Sequence, residues 1–277
     1  MTPSGHLEMA VRAAVLGGRA VMDEYGGEIQ YDTKSDDSPV TAADLSSNDA
    51  VKSVLAGTGL PILSEEDADV AGRAAAPAVW IVDPLDGTSD FVDKTGEFTV
   101  MVALVSGGVP ALGVINQPAA GVTYAAERGG GAWRSDGGRW TSMRVDPAAL
   151  ADCTAVASRH HLAAGERRFL ESLGLGGIRT LGSSLKVTRI CEGGAHMYAT
   201  FTDRMKEWDT AASCCIIHEA GGRMTDMTGR PLEYNRPDVF HRNGILATNG
   251  TIHDYVVSRY MATLGPGTSE SPPPGRS

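Results

Sequence analysis

The chain of 277 residues is poor in aromatic residues, in cysteine and in positive charge. Aromatic residues make up 6% of it, and its four cysteines form no C-x-x-C pair, which excludes most zinc and redox motifs. Lysine and arginine number 24 against 34 acidic residues, giving a net charge of −10. Non-specific nucleic-acid binding needs a basic stripe, so we expect no nucleic-acid partner. No apolar run reaches the roughly 18 residues of a membrane span, so we expect no membrane partner either.

The sequence also lacks the marks of secretion. Its first residues contain no basic segment followed by a long apolar core, so no signal peptide is predicted. Cys214 and Cys215 are adjacent within an apolar helical pattern and are interpreted as buried thiols. Reduced thiols of this kind are typical of the cytoplasm, where we expect the protein to be located.

Glycine and proline are abundant, with 34 and 14 residues, which indicates a turn-rich α/β or α+β enzyme. The length suits one large domain, or two small ones that share a core. Apolar spacing predicts helices at 7–25, at 207–220 and from Thr41 or Asp44 to Leu55. Strands are predicted at 61–63, 79–82, 98–105, 111–116, 122–126, 155–158 and 244–248, the third to fifth of them forming a meander.

The most informative feature is the position of the carboxylates. Asp83 and Asp86 follow the apolar strand 79–82, Glu65 follows another short strand, and Asp209 lies in the first turn of the last long helix. Each alone is explained by a turn or by a helix dipole. Together they would form an oxygen-only cluster, which repels itself unless cations bind to it and which favours Mg²⁺ over zinc. Because Mg²⁺ combines a few carboxylates with phosphate oxygens, the implied substrate is a phosphate ester.

These carboxylates stand in three motifs that resemble a known family. Glu65-Glu66, the D-P-L-D-G-T run at 83–88 and the E-W-D-T-A-A run at 207–212 are similar to the signatures of the inositol monophosphatase superfamily of Mg²⁺-dependent, lithium-sensitive phosphatases. The resemblance extends from about residue 7 to residue 262. It implies a layered α/β (α+β) fold, an α-β-α-β-α sandwich. It further implies a half at 1–150 with the metal site, a half at 151–262 with a nucleoside pocket and Asp209, and a disordered tail at 263–277.

Four further segments, at 34–44, 96–100, 158–161 and 182–186, resemble the 3′(2′),5′-bisphosphate nucleotidase branch of that superfamily. This branch hydrolyses adenosine 3′,5′-bisphosphate (PAP) to AMP and phosphate, and a related substrate is the sulfated nucleotide PAPS. The resemblance therefore implies a small phosphate ester, an adenosine bisphosphate, as the binding partner. It leaves a homodimer open.

The resemblance also assigns roles to individual residues. Two Mg²⁺ ions would be held by Glu65, Asp83, Asp86, Asp209 and the carbonyl of Leu85, and a third, weaker ion by Glu65 and water. Thr88 would position the attacking water, and Asp44 would help to activate it. Substrate contacts are implied for Gly87, Thr88, His161, Ser183, Ser184, Lys186 and Asp209. For Ser183 and Ser184 the alternative is helix capping, and for His161 an exposed polar side chain.

The chain departs from bacterial nucleotidases at one point. An arginine expected near the 5′-phosphate is replaced by Thr200, for which Arg204 or Lys206 could substitute. Animal-type nucleotidases also lack this arginine, so the departure affects the preferred nucleotide and leaves the expected activity class in place. A phosphatase of inositol 1-phosphate, of a fructose bisphosphate or of another sugar phosphate, or a pathway-specific nucleotide phosphatase, stays open as an alternative. A nucleotide-sensing module without activity is disfavoured because every motif carboxylate is present.

Overall fold

The computed structural model describes residues 4–27, 29–33 and 39–264. The α-helices within these ranges are α1 Gly5–Tyr25, α2 Ala42–Leu55, α3 Thr88–Val92, α4 Ala164–Ser172, α5 Leu185–Cys191, α6 Glu207–Glu219 and α7 His253–Thr263. The strands are β1 Tyr31–Thr33, β2 Pro39–Thr41, β3 Ile62–Ser64, β4 Ala78–Asp86, β5 Thr99–Ser106, β6 Val109–Gln117, β7 Val122–Glu127, β8 Ala132–Asp136, β9 Arg139–Met143, β10 Thr154–Ser158, β11 Gly177–Leu181, β12 Met197–Thr200, β13 Arg223–Thr225 and β14 Ile245–Thr248.

The strands form two main sheets, one in each half of the chain. The larger has the order β3-β4-β5-β6-β7-β8-β9, and the smaller the order β11-β10-β12-β14-β13. In the larger sheet β3 runs parallel to β4, whereas the strands from β4 to β9 are successively antiparallel. This run of antiparallel neighbours confirms the predicted meander, which short Gly and Pro turns connect.

Helices cover and separate the two sheets in five layers. One buried cluster joins α1 and α2 to a face of the larger sheet, through residues such as Leu7, Val51 and Val102. A second cluster places α5 and α6 between the sheets, where Ile216 packs in the same core as Met101. A third joins the outer face of the smaller sheet to α4 and α7. The fold is therefore the expected mixed α/β sandwich, with the layer order α-β-α-β-α.

The predicted helices and strands lie within a few residues of the observed ones, with one consequential difference. The strand predicted at 79–82 extends through Asp86, so Asp83 and Asp86 belong to β4 and do not lie in a turn after it. Asp83 pairs with Met101 and Asp86 with Thr99, and the register shifts between these two pairs. The strand continues because its antiparallel neighbour β5 keeps pairing with it past Pro84, and this irregularity re-aims the side chains.

The sequence analysis missed the β8–β9 hairpin, although its turn signal is present. Gly137 and Gly138 have φ values of 61° and 93°, as a two-residue hairpin turn of the primed type requires. Helix α7 runs through Thr263, the residue at which the tail is predicted to begin. Residues 34–38 and 265–277 lie outside the described residues, and the predictions made for them remain predictions. Among the described residues no helix is long and apolar enough to cross a membrane. The four cysteines are unpaired and buried, as expected for Cys214 and Cys215.

Candidate active site

The ends of neighbouring elements bring the predicted acidic residues together. β3 and β4 are parallel, so their carboxyl ends meet at one edge of the sheet, where the Glu65 amide donates to the Val82 carbonyl at 3.2 Å. Helix α6 packs against the face of the larger sheet that carries Ile81 and Met101, and Asp209 lies in its first turn. Carboxylate oxygens of Glu65, Asp83 and Asp209 all lie within 4.8 Å of one another.

This cluster is electrostatically costly in the absence of a cation. Burial raises the pKa of the Asp83 carboxyl well above its ordinary value, and the charges of Glu65, Asp86 and Asp209 raise it further. Burial, and then the charge of Glu65, raises the pKa of Asp209 to about 8. Backbone amides oppose these shifts, through the Leu85 amide on Asp83 Oδ1 (3.0 Å) and the Lys206 amide on Asp209 Oδ2 (2.6 Å), and the charge of Lys206 also lowers the pKa of Asp209.

The donor set fits a hard divalent cation. The group offers oxygen atoms from three carboxylates, and repulsion between them raises the pKa of Asp83 and of Asp209. Carboxylate oxygens are the ligands that Mg²⁺ and Ca²⁺ prefer. A bound cation would reverse the repulsion, so the same burial that disfavours the charged carboxylates would strengthen their hold on the metal. The cluster could therefore hold a metal ion.

Asp86 lies beside this group but is engaged differently. Its Oδ2 accepts the Ser184 amide at 2.5 Å and the Thr99 hydroxyl at 3.2 Å, and Thr99 Oγ1 lies 2.7 Å from Ser184 Oγ. Burial raises the pKa of Asp86, while the charge of Lys186 and the Ser184 bonds lower it. Asp86 thus joins β4 to the start of α5, and Thr99 is a site neighbour that the sequence analysis missed. The signal was its place opposite Asp86 on β5.

Thr88 and Asp44 form a second hydrogen-bonded unit. Thr88 Oγ1 lies 3.2 Å from both Asp44 Oδ1 and the Leu85 carbonyl, each of which can accept its proton. The buried Asp44 carboxylate is held in place by Thr41, whose amide and hydroxyl each donate to Oδ2 at 2.7 Å. This is the capping box that begins α2, so ordinary helix capping fixes the side chain that faces Thr88.

Gly87 permits a close approach between the two halves. Its φ of 92° lies in the region that favours glycine, and a Cβ there would lie 3.0 Å from the Cβ of Ser183. Ser183 is itself left-handed with φ of 47°, and its hydroxyl accepts the Leu185 amide at 3.4 Å. Helix α5 begins after Ser184 with no side-chain capping bond, so the Ser183 bond is a local turn contact, and the Ser183 Cβ lies directly against the Gly87 turn.

Lys186 and His161 lie near this group with different exposure. Lys186 is buried, its Nζ donates to the Ser183 carbonyl at 2.5 Å, and burial lowers its pKa against the opposing charge of Asp86. The His161 side chain reaches solvent, as the alternative interpretation expected, but neighbouring atoms partly desolvate its ring, and this desolvation, followed by the charges of His160 and Lys186, lowers its pKa. The ammonium of Lys186 thus faces the acidic cluster before any substrate is present.

Two ion-paired residues that the sequence analysis did not single out tie this region together. Arg159 Nη2 donates to Glu97 Oε2 at 2.5 Å, and the same oxygen accepts the Gly182 amide at 2.7 Å. The turn after β10 and the turn before Ser183 are therefore both anchored to Glu97 from the other half. The signal was present, because Glu97 and Arg159 lie in segments that carried the resemblance.

Thr200, at the position of the expected arginine, has its hydroxyl engaged by a carboxylate of helix α4. It is buried, and its hydroxyl donates to Glu166 Oε1 at 2.7 Å, the same oxygen that accepts the Phe201 amide at 2.7 Å. Its neighbour Tyr198 places its ring 5.3 Å from Lys186 Nζ. The position therefore stabilises the end of β12.

Comparison with known proteins places this geometry in a family. The sequence profile of the inositol monophosphatase family matches residues 4–261. The 3′(2′),5′-bisphosphate nucleotidase CysQ of Escherichia coli (strain K12) is 36% identical over 243 residues, covering 86% of this chain and 97% of that protein. The histidinol-phosphatase of Mycobacterium tuberculosis is 33% identical over 248 residues, covering 85% of this chain and 89% of that protein.

The solved structures agree with the sequence comparison. The crystal structure of CysQ from Bacteroides thetaiotaomicron, described as a bacterial member of the inositol monophosphatase family, matches with a TM-score of 0.78 at 33% identity. That match covers 88% of this chain and 97% of the CysQ chain. The fold, the order of the sequence motifs and the acidic cluster all agree with these matches. The chain belongs to the inositol monophosphatase family, a family of metal-dependent phosphatases.

Proposed function

We propose that the protein is a Mg²⁺-dependent 3′(2′),5′-bisphosphate nucleotidase that hydrolyses the 3′-phosphate of PAP to give AMP and phosphate, with PAPS as a second substrate. The observation that carries the proposal is the group of Glu65, Asp83 and Asp209 oxygens within 4.8 Å of one another. The 36% identity to CysQ over nearly the full length of both chains supports the nucleotide as substrate.

The proposed metal ligands are Glu65, Asp83, Asp86, Asp209 and the Leu85 carbonyl, for two Mg²⁺ ions and a third, weaker one at Glu65. When bound, Mg²⁺ stabilises charge on the phosphoryl oxygens and lowers the pKa of a water. The chain contributes a set of carboxylates whose mutual repulsion a bound cation would relieve. It also fixes their spacing through β4 and the first turn of α6.

Thr88 and Asp44 are proposed to handle the proton of the attacking water. Thr88 Oγ1 donates to Asp44 Oδ1, which leaves its lone pairs free to accept a proton from water. As the water oxygen bonds to phosphorus and the ester P–O bond breaks, the water proton moves to Thr88 Oγ1 and the Thr88 proton to Asp44 Oδ1. The leaving 3′-oxygen takes its proton from solvent.

The remaining residues are proposed to orient the nucleotide. The backbone N–H groups of Gly87 and Thr88 would donate to the transferred phosphate. Ser183, Ser184 and His161 would line the nucleoside end, with Asp209 at the boundary. The Lys186 ammonium faces Asp86, so its charge becomes available to a 5′-phosphate once cations balance that carboxylate.

Two observations favour a second candidate, a phosphatase of inositol 1-phosphate or of another small phosphate ester. Thr200 replaces the arginine expected near the 5′-phosphate, and its hydroxyl is engaged with Glu166. One relative, 33% identical to this chain, is a histidinol-phosphatase, and histidinol phosphate has no second phosphate. The acidic cluster would serve these substrates equally well.

Product analysis tests the proposal. Incubation of PAP with the protein and Mg²⁺ is expected to release phosphate and 5′-AMP, separated by chromatography from 3′-AMP. Asp83→Asn should abolish release because it removes a buried carboxylate from the cluster. Asp226→Asn is the matched control, since Asp226 is a buried aspartate held by Thr228 and Arg230 in the loop after β13. Accumulation of 3′-AMP, or undiminished turnover by Asp83→Asn, would overturn the assignment.

A further inference from the structure

One arginine is buried in the loop between Glu65 and the strand that carries Asp83. Residues 65–77 link β3, which ends before Glu65, to β4, which carries Asp83. Arg73 lies in this loop, and its side chain is only 1% exposed. Its guanidinium forms a bidentate pair with Asp69 of the same loop, at 2.7 and 3.1 Å.

The other guanidinium bonds of Arg73 cross to the second half of the chain. Nη1 donates to Asn235 Oδ1 at 2.8 Å, Nη2 donates to the Arg236 carbonyl at 3.0 Å, and Asn235 Nδ2 returns a bond to the Arg73 carbonyl at 3.3 Å. Asn235 has a φ of 59°, a left-handed conformation that asparagine tolerates. Arg73 therefore fixes an unusual turn between β13 and β14 against the loop that follows Glu65.

The same turn is held from its other side by the first residue of α6. The two carboxylate oxygens of Glu207 accept the Asn235 amide at 2.7 Å and the Arg236 amide at 2.8 Å. Glu207 is 1% exposed, and it lies two residues before Asp209 on the same helical turn. Arg73, the 235–236 turn and Glu207 thus form a continuous hydrogen-bonded bridge between the loop that carries Glu65 and the helix that carries Asp209.

We propose that this bridge is a positioning device for the metal site: Arg73 and Glu207 set the separation of Glu65 from Asp209, and with it the affinity for the metal ion. The inference rests on the proposed metal site. Glu65 and Asp209 come from different halves and repel each other, so the fold must hold them together before a cation binds. Partners that orient ligands typically change metal affinity by about 10- to 100-fold when they are removed.

Two substitutions separate this role from simple support of the fold. Arg73→Lys keeps the positive charge but cannot serve Asp69, Asn235 and the Arg236 carbonyl together, because an ammonium lacks the planar fork. Glu207→Gln keeps one acceptor oxygen but turns an N–H₂ group toward the second backbone amide. Glu166→Gln is the matched control, since Glu166 is also a buried carboxylate that accepts two backbone amides, from Ala163 and Phe201.

The probe is Mn²⁺, which shares the oxygen-ligand preference of Mg²⁺ and whose free concentration is read by electron paramagnetic resonance without substrate. Arg73→Lys and Glu207→Gln are each expected to raise the Mn²⁺ dissociation constant about tenfold or more, with kcat at saturating metal near wild type. Glu166→Gln should leave that constant unchanged, even where all three variants lose similar stability in EDTA. The double variant should be no weaker in metal binding than the worse single variant, because both act through one bridge.

The outcomes distinguish this inference from the function it rests on. Wild-type dissociation constants in both single variants, with Mn²⁺ binding by the wild type intact, would overturn the bridge and leave the metal site standing. The same increase in Glu166→Gln would also overturn it, because general destabilisation would then explain the effect. Failure of the wild type to bind Mn²⁺ would overturn both. If Glu207→Gln does not fold, Arg73→Lys decides the question alone.

Discussion

Replacing Asp209 by asparagine should stabilise the metal-free protein while removing its response to metal. Asp209 is partly buried and faces Glu65, and burial followed by that charge raises its pKa from 3.8 to about 8. Near neutral pH the folded protein therefore keeps a proton that the unfolded chain has lost. An asparagine in the same place has no proton to keep, and its amide oxygen can still accept the Lys206 amide.

The magnitude follows from proton linkage. Between pH 3.8 and about 8 the native state binds more protons than the unfolded state, so wild-type stability falls as pH rises through that window. At about 1.4 kcal/mol for each pH unit, the loss near pH 7 would reach about 4 kcal/mol. Solvent screens a partly exposed carboxylate, so we expect Asp209→Asn to gain about 2 kcal/mol, or roughly 5 °C in Tm.

Urea and thermal unfolding in EDTA measure this gain, and repetition with Mg²⁺ measures the response to metal. The gain should shrink toward pH 4, where the unfolded aspartate is also protonated. Mg²⁺ should stabilise the wild type and leave Asp209→Asn unchanged. Asp226→Asn should show the opposite sign in EDTA, because both Asp226 oxygens accept donors, Oδ1 from Thr228 and Arg230 at 2.7 to 2.9 Å and Oδ2 from Asn243 Nδ2 at 3.3 Å. An asparagine would therefore turn its N–H₂ group toward one of these donors. The reasoning is refuted if Asp209→Asn is less stable than the wild type in EDTA near neutral pH.

Three further predictions address separate parts of the site and fold. Thr88→Val should lower kcat about 100-fold or more in a phosphate-release assay and leave Tm nearly unchanged, whereas a wild-type kcat would exclude the proposed proton transfer. Gly87→Ala should lose about 1 to 3 kcal/mol in urea unfolding, because φ is 92° and the new Cβ would press on Ser183; unchanged stability would contradict this close approach. Burial lowers the pKa of His253 to about 4, so this histidine alone should contribute a loss of about 2 kcal/mol from pH 7 to pH 5 as its unfolded form gains a proton, opposite in sign to the contribution of Asp209. The stability of the wild type relative to His253→Gln should therefore drop by about 2 kcal/mol between pH 7 and pH 5 in urea unfolding, and a difference that does not change with pH would speak against the assignment.

The elements that carry the site could be predicted from local sequence. A strongly apolar run before Asp83, a capping residue at Thr41 and paired glycines after α6 each specify local structure with little help from the rest of the chain. The metal-ligand candidates then follow from elements whose ends meet at one edge of the sheet.

What could not be predicted depends on contacts between distant parts of the chain. The course of β4 through Pro84 depends on its pairing with β5, which no local pattern encodes. The position of Lys186 opposite Asp86 is set by the packing of α5 on the larger sheet, which no local pattern encodes. Arg73 gave no signal, because a single arginine in a polar loop is ordinarily exposed. Its burial requires Asn235, which lies 162 residues away in the sequence.

The measurement that tests the central claim most directly is the ratio of kcat/KM for PAP to that for inositol 1-phosphate and for histidinol phosphate, with Mg²⁺ present. A strong preference for PAP, lost when Lys186 is replaced by methionine while turnover of inositol 1-phosphate persists, is the predicted result. It would support Lys186 and the Ser183–Ser184 segment as the 5′-phosphate and ribose site. A preference for inositol 1-phosphate or histidinol phosphate would contradict the proposed substrate, leaving the metal chemistry in place and Ser183 with only its local hydrogen bond from the Leu185 amide.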